Sequence, residues 1–164
     1  DEANKLRQAA LLRNLPPQLS EIFLRRTSSL VFSPDEQMIL YTVSSGGTLD
    51  EGLVRPLPGA STQKQERQIK EGQTYIYDIK EDRNFLITDN EVRPRWMPTS
   101  RHALLAEEGK VTIMDYDGTN RQTVFSGNYI SPHAYPFVNA SKLLILTNLG
   151  SDISTANLYS LSIK

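Results

Sequence analysis

The sequence predicts an all-β repeat fold, and three observations carry that prediction. First, an aromatic-led turn recurs, each time before a short apolar strand. Phe32-Ser33-Pro34-Asp35 precedes residues 38–43, Trp96-Met97-Pro98-Thr99 precedes 102–106, and Phe137-Val138-Asn139-Ala140 precedes 142–147. Second, each strand is followed by a β-rich run: Thr74-Tyr75-Ile76-Tyr77-Asp78, Val111-Thr112-Ile113-Met114-Asp115 and Asn157-Leu158-Tyr159-Ser160. Third, the lead aromatics stand 64 and 41 residues apart. The longer gap holds an insertion, so the period is about 40, the length of a four-stranded blade. The architecture implied is a partial β-propeller. It has about three four-stranded antiparallel blades, the last incomplete, behind a short helical N-terminal lead-in.

The lead-in spans residues 1–26. Leu6, Ala9, Ala10 and Arg13 fall at helical spacing, and Leu15-Pro16-Pro17 interrupts them. Asn14 is placed to cap a second helix whose first turn tolerates proline. Leu19, Ile22 and Phe23 line one face of that helix, with Arg25 and Arg26 at its dipole-favoured C-terminal end. Two short helices covering an edge or a propeller opening are the expectation; a partner-binding amphipathic helix is the alternative.

The blades occupy 27–164, divided as 27–90, 91–129 and 130–164. The middle one is the clearest, with strands expected at 93–96, 102–107, 110–115 and 122–125. Glu108-Gly109 and Asp117-Gly118 mark its tight turns, because glycine accepts the positive φ that a type I′ hairpin demands. In the first blade, residues 44–73 separate the second and third strands. Gly, Pro, Ser and Gln dominate there, no apolar period survives, and 64–71 is charged with balanced sign. That composition predicts a solvated, mobile excursion, with a binding loop as the sharper alternative. The third blade shows strands near 134–137, 142–148 and 158–163 and no fourth before Lys164, so further blades from the same or another chain are expected.

Composition excludes several classes. Eighteen Lys and Arg against nineteen Asp and Glu leave 164 residues with a net charge of −1, which removes the positive surplus behind generic nucleic-acid binding. No apolar run approaches the roughly 18 residues of a membrane span. No basic-then-apolar leader opens the sequence, which reads as a mature segment, an excised domain or a cytoplasmic chain. With no cysteine there is no disulfide, thiolate nucleophile or Cys-ligated metal.

Catalytic readings fare poorly. A Ser-His-Asp hydrolase needs a base, and His102 and His133 are the two histidines; no Gly-x-Ser-x-Gly elbow accompanies them. His102 opens a strand and His133 sits in Ser131-Pro132-His133-Ala134-Tyr135-Pro136, so both read as structural. Asp115-x-Asp117-Gly118-x-Asn120 has oxygen ligands at alternate positions, as calcium requires, but Ser126 stands where a bidentate acid belongs, and a hairpin turn is the better reading. Arg93, Arg95 and Arg101 form a basic cluster able to receive an acidic partner, with a solvated rim as the default. Asn139-Ala140-Ser141 matches a glycosylation sequon by pattern only. No catalytic, cofactor or metal residue is assigned, no cofactor is implied, and the binding residues are unknown.

The run Thr112-Ile113-Met114-Asp115-Tyr116-Asp117-Gly118-Thr119-Asn120-Arg121-Gln122 resembles the repeat of TolB-type propellers, in which a strand ends in Asp-x-Asp-Gly-x-Asn. Phe32-Ser33-Pro34-Asp35 followed by Met38-Ile39-Leu40-Tyr41 resembles the same repeat's aromatic-Ser-Pro-Asp turn and second strand. Leu15-Pro16-Pro17-Gln18-Leu19 and the closing Asn157-Leu158-Tyr159-Ser160-Leu161 are similar to bacterial surface proteins that join a PEGA domain to such a propeller. The second and third units depart from the pattern, reading Met97-Pro98-Thr99 and Val138-Asn139-Ala140. The resemblance implies a non-enzymatic scaffold that binds protein or glycan at a bacterial cell envelope, in the periplasm or at the cell surface. The alternative is the accessory or gating propeller of a hydrolase whose catalytic domain lies outside this sequence. A third reading is purely structural, with the blades filling a larger ring.

Overall fold

Antiparallel meanders of short strands build the fold, which is all-β and of partial-propeller type. The computed structural model describes residues 2–55, 57–59, 61–148 and 156–163. Two compact units divide the chain, Asp1–Glu91 and Val92–Lys164.

The first unit contains α1 (Glu2–Arg13), α2 (Pro17–Arg25), β1 (Thr27–Phe32), β2 (Met38–Val43), β3 (Gly47–Thr48), β4 (Gln68–Ile69), β5 (Thr74–Asp78) and β6 (Arg83–Thr88). Its main sheet runs β1-β2-β5-β6. Register pairs Ile39 with Tyr77 and Tyr41 with Tyr75, which puts these four on one face, while Leu40 pairs with Ile76 and Ile76 with Phe85 on the other. Helices of nine and twelve residues are marginal alone and need a packed face. Phe23 supplies it: its ring meets Tyr41 edge-on at 5.1 Å and Tyr77 at 5.6 Å, and Leu19 beside it is fully buried. Each such side chain contributes about 1.5–3 kcal/mol. The helix therefore covers a sheet face, rather than an edge or an opening as expected.

Two further expectations for the lead-in are corrected. The N-cap of α2 is Pro16, without a side-chain cap, and Pro17 begins the helix; the N–H of Asn14 instead bonds the carbonyl of Leu11 at 3.1 Å. In α1 the buried residue is Leu12, whereas Leu6 is 68% exposed and Ala10 is exposed as well, so Leu6/Ala9/Ala10 is not the packing stripe.

The insertion is anchored to the core at a few points rather than being a wholly solvated excursion, although stretches such as 50–52, 57–59, 62–64 and 70–72 are exposed as expected. β3 pairs with β4, and Leu49 and Ile69 are buried in the same cluster as Phe23, Tyr41 and Tyr77. Leu53 and Val54 pack against that cluster. Arg67 and Asp82 form an ion pair at 3.0 Å with side chains only 12% and 4% exposed. Tyr77 donates to the same carboxylate at 2.6 Å and the Gly52 N–H at 3.0 Å. Gly59 crosses so close to Glu81 that a Cβ there would meet its carboxylate oxygen at 2.8 Å. Apolar periodicity missed all this because the insertion packs through isolated Leu, Val and Ile residues and a buried ion pair, not through a repeating face.

The second unit contains β7 (Arg95–Trp96), β8 (His102–Glu107), β9 (Lys110–Asp115), β10 (Gln122–Ser126), β11 (Ala134–Pro136), β12 (Lys142–Thr147) and β13 (Asn157–Ser162). One sheet runs β10-β9-β8-β7; the other, β11-β12-β13, has three strands among the described residues, and Lys164 lies outside them. Met97, Leu104, Ala106 and Val111 of the first sheet share a buried cluster with Ala134, Leu143 and Ile145 of the second. The turn chemistry differs from type I′. Gly109 has φ +68° but Glu108 is not left-handed, and Asp117-Gly118 sits inside a six-residue connection between β9 and β10.

The recurring turn is real, and its third copy is one residue out of the register the aromatics put it in. The N–H groups of Ser33, Met97 and Phe137 donate to the carbonyls of Met38, His102 and Lys142, each at 2.9 Å. Glu36, Ser100 and Ala140 are all left-handed, with φ of 60°, 59° and 56°. Equivalence therefore runs Phe32, Trp96, Pro136, and the third aromatic, Phe137, corresponds to Met97. At the next position but two, Asp35, Thr99 and Asn139 each accept the N–H two residues on, at 3.2, 3.3 and 3.2 Å. Three residue types thus do the same hydrogen-bonding work. Backbone geometry sets the register while burial varies within it: Ser33 and Met97 are each 2% exposed, whereas the equivalent Phe137 is 40% exposed, and Phe32 and Trp96 one residue earlier are partly buried.

Candidate functional site

Each histidine takes part in a local hydrogen-bonded chain. His102 opens β8 directly opposite Asp115 of β9, so cross-strand pairing alone brings its Nε2 to 3.4 Å from Asp115 Oδ1. Its Nδ1 lies 2.8 Å from Thr99 Oγ1. A hydroxyl, an imidazole and a carboxylate are lined up, but the outer members serve the turns. Thr99 Oγ1 accepts the Arg101 N–H, and Asp115 Oδ2 accepts Asn120 Nδ2 at 2.7 Å. The chain ties the turn before β8 to the connection after β9.

The oxygen-rich run acts in the same way. Asp117 Oδ1 accepts the N–H and the hydroxyl of Thr119 at 3.0 and 2.6 Å, and the Gly118 N–H bonds the Asp115 carbonyl at 2.9 Å with φ +81°. Among the described residues, no group of three or more His, Cys, Asp or Glu is placed to hold a metal ion. Asn139 Oδ1 is engaged by the N–H and Oγ of Ser141, as an Asx turn requires.

The three arginines part company. Arg93 is exposed ahead of β7, and Arg101 lies over the Tyr116 ring at 5.9 Å. Arg95 is placed differently: its guanidinium stacks on Tyr135 of β11 at 4.2 Å from the ring centre, and Nη2 donates to the Pro132 carbonyl at 3.3 Å. Tyr135 in turn shares a 2.9 Å hydrogen bond between its hydroxyl and His133 Nδ1, with the two rings 6.1 Å apart. A stacked guanidinium keeps a fixed plane and most of its five donors, which suits a flat anion. Arg95, Tyr135 and His133 therefore form one connected cation–aromatic cluster. Sequence reading grouped Arg95 with arginines nearby in the chain and missed Tyr135. The available signal was the repeat: Arg95 and Tyr135 are 40 residues apart, one period, and so occupy equivalent positions on the first strands of adjacent sheets.

No family model matches this chain. No curated protein matches it either. Among solved structures it is similar to TolB from Acinetobacter baumannii, with 14% identity and a TM-score of 0.47 over 84% of this chain and 32% of that one. The chain spans about a third of the length of that structure.

Proposed function

We propose that the chain is a non-enzymatic propeller scaffold that binds a protein or glycan partner at a bacterial cell envelope. The observation that carries this reading is the Arg95–Tyr135–His133 cluster, a preformed cation–aromatic surface. His102 and Asp115 are engaged in tying the turn before β8 to the connection after β9, which argues against a hydrolytic role for that pair. The envelope location rests on the TolB-type motifs around Phe32 and Asp115. The PEGA-type context rests on the lead-in at Leu15–Leu19 and the closing strand alone. Further blades, from the same or another chain, are part of the proposal. β13 has one partner strand among the described residues, and Leu158 on it is 58% exposed.

The test is fractionation of the native protein with quantitative crosslinked capture, competed by the free 164-residue chain. Envelope recovery and one saturable, competed partner support the reading. Exclusive recovery in the cytosol, or turnover of ester or peptide substrates abolished by His102→Ala, refutes it.

A further inference from the structure

We infer that the Arg95–Tyr135–His133 cluster recognises a carboxylate on an acidic, partly apolar peptide segment. The inference rests on the scaffold reading and goes further, naming the ligand chemistry and the residues. Arg95 uses one donor on the Pro132 carbonyl and has its guanidinium carbon over the Tyr135 ring, and the rest of its fork is available for a bidentate carboxylate. Among the described residues, neither Arg93 nor Arg95 takes part in an ion pair, although arginines and a lysine elsewhere in the chain do. Two cations two residues apart, neither held in an ion pair, are placed to meet an acidic segment. His133 Nε2 has no protein partner among the described residues, which leaves a second polar contact beside the fork.

A peptide fits better than a sugar. Carbohydrate recognition uses the open face of an aromatic ring, and one face of Tyr135 is already taken by the Arg95 guanidinium. The chain beyond Tyr135 offers apolar side chains instead: Phe137 is 40% and Val138 90% exposed. Alternating acidic and apolar residues on an extended segment match an arginine followed by such groups.

The probe is a fluorescent peptide of alternating glutamate and leucine, read by anisotropy and by the emission of Trp96, the single tryptophan and the neighbour of Arg95. Saturable binding is expected. Replacing glutamate by glutamine should weaken it at least about tenfold, the loss of one charge-assisted hydrogen bond. Arg95→Gln should do the same, and Arg95→Lys should also lose affinity because an ammonium lacks the planar fork. Arg25→Gln, on α2, should bind as the parent does. If Arg95→Gln melts early, Arg95→Lys carries the comparison. Parental affinity in Arg95→Lys and Arg95→Gln overturns the inference, and so does an oligogalacturonate that binds more tightly than the peptide in an Arg95-dependent manner. Capture of the native partner at parental level by Arg95→Gln also overturns it and leaves the scaffold reading standing. Failure of the parent chain to capture any partner defeats the scaffold reading itself.

Discussion

Asp82→Asn is the substitution that most directly tests how the first unit is held together. The aspartate sits at φ +48°, which asparagine tolerates, so backbone strain changes little. The chemistry changes more. Oδ1 takes the Tyr77 hydroxyl at 2.6 Å and Arg67 at 3.0 Å, and Oδ2 takes the Gly52 N–H at 3.0 Å. In the variant the amide nitrogen meets one of these donors, and the Arg67 charge, 12% exposed, loses its counter-ion. Breaking one partner of a buried pair costs about 3–5 kcal/mol. Arg67 also donates to the backbone carbonyls of Asp82 and Asp50, which places this case near the lower end, about 3 kcal/mol. That is a large share of a typical total of about 5–15 kcal/mol. Urea unfolding followed by near-ultraviolet circular dichroism reads the Tyr41–Tyr75–Tyr77 cluster, and Trp96 emission reports the second unit separately. Arg67→Met and the double variant complete a cycle, with an expected coupling above about 1 kcal/mol. Additive single effects, within about 0.5 kcal/mol, would show that the pair does not hold the insertion.

Replacing residues 46–71 with a short glycine turn should abolish cooperative unfolding of the tyrosine cluster, because Leu49 and Ile69 complete its core; an intact melt refutes this. Burial raises the Tyr41, Tyr75 and Tyr77 hydroxyls above the ordinary tyrosine value, and for Tyr77 the hydrogen bond to Asp82 adds to the shift. Groups raised on folding stabilise fully below their unfolded pKa of about 10 and lose that contribution as pH rises toward their folded values. Stability should therefore hold to about pH 10 and fall above it, with phenolate absorbance and loss of tertiary structure appearing together; phenolate formation in the folded protein near pH 10 refutes the burial. Met97→Ala should cost about 2–5 kcal/mol, whereas Trp96→Ala should fall below the ~3–5 kcal/mol of an emptied aromatic core site. The reverse order in chemical denaturation would refute this ranking of the two sites.

The blades were legible because strand length, alternation and turn composition are local properties. The strands of the middle sheet lie at 102–107 and 110–115 as read, and the Leu19, Ile22, Phe23 face packs as read, with Leu19 and Phe23 buried. The errors arose where position depends on partners far along the chain. Asn14 has the right chemistry for a cap, but Pro16 fixes the helix start. Aromatic identity misregistered the third turn by one residue, because the turn is specified by a left-handed residue and an oxygen two before an N–H, which Asp35, Thr99 and Asn139 all supply. Arg67 and Asp82 lie 15 residues apart on either side of β5, and nothing local announces that they meet.

The same logic explains why the site cluster was invisible to motif reading. A repeat that reproduces its turns brings equivalent positions of successive first strands side by side, so residues one period apart become neighbours while residues two apart in sequence need not act together. Arg93 and Arg95 looked like a pair; Arg95 and Tyr135 are the pair that touches. The equivalent position in the first repeat is Val31, 44% exposed, so this column of positions tolerates an arginine, a tyrosine and a valine. The turn geometry is kept across the three repeats while the residue at this equivalent position varies. The face of the first sheet under α2 is covered by the chain's own helix and by Leu49 and Ile69 of the insertion. Among the described residues the β11-β12-β13 sheet has three strands, and Leu158 on β13 stands exposed, so this edge carries none of the cover that α2 gives the first sheet.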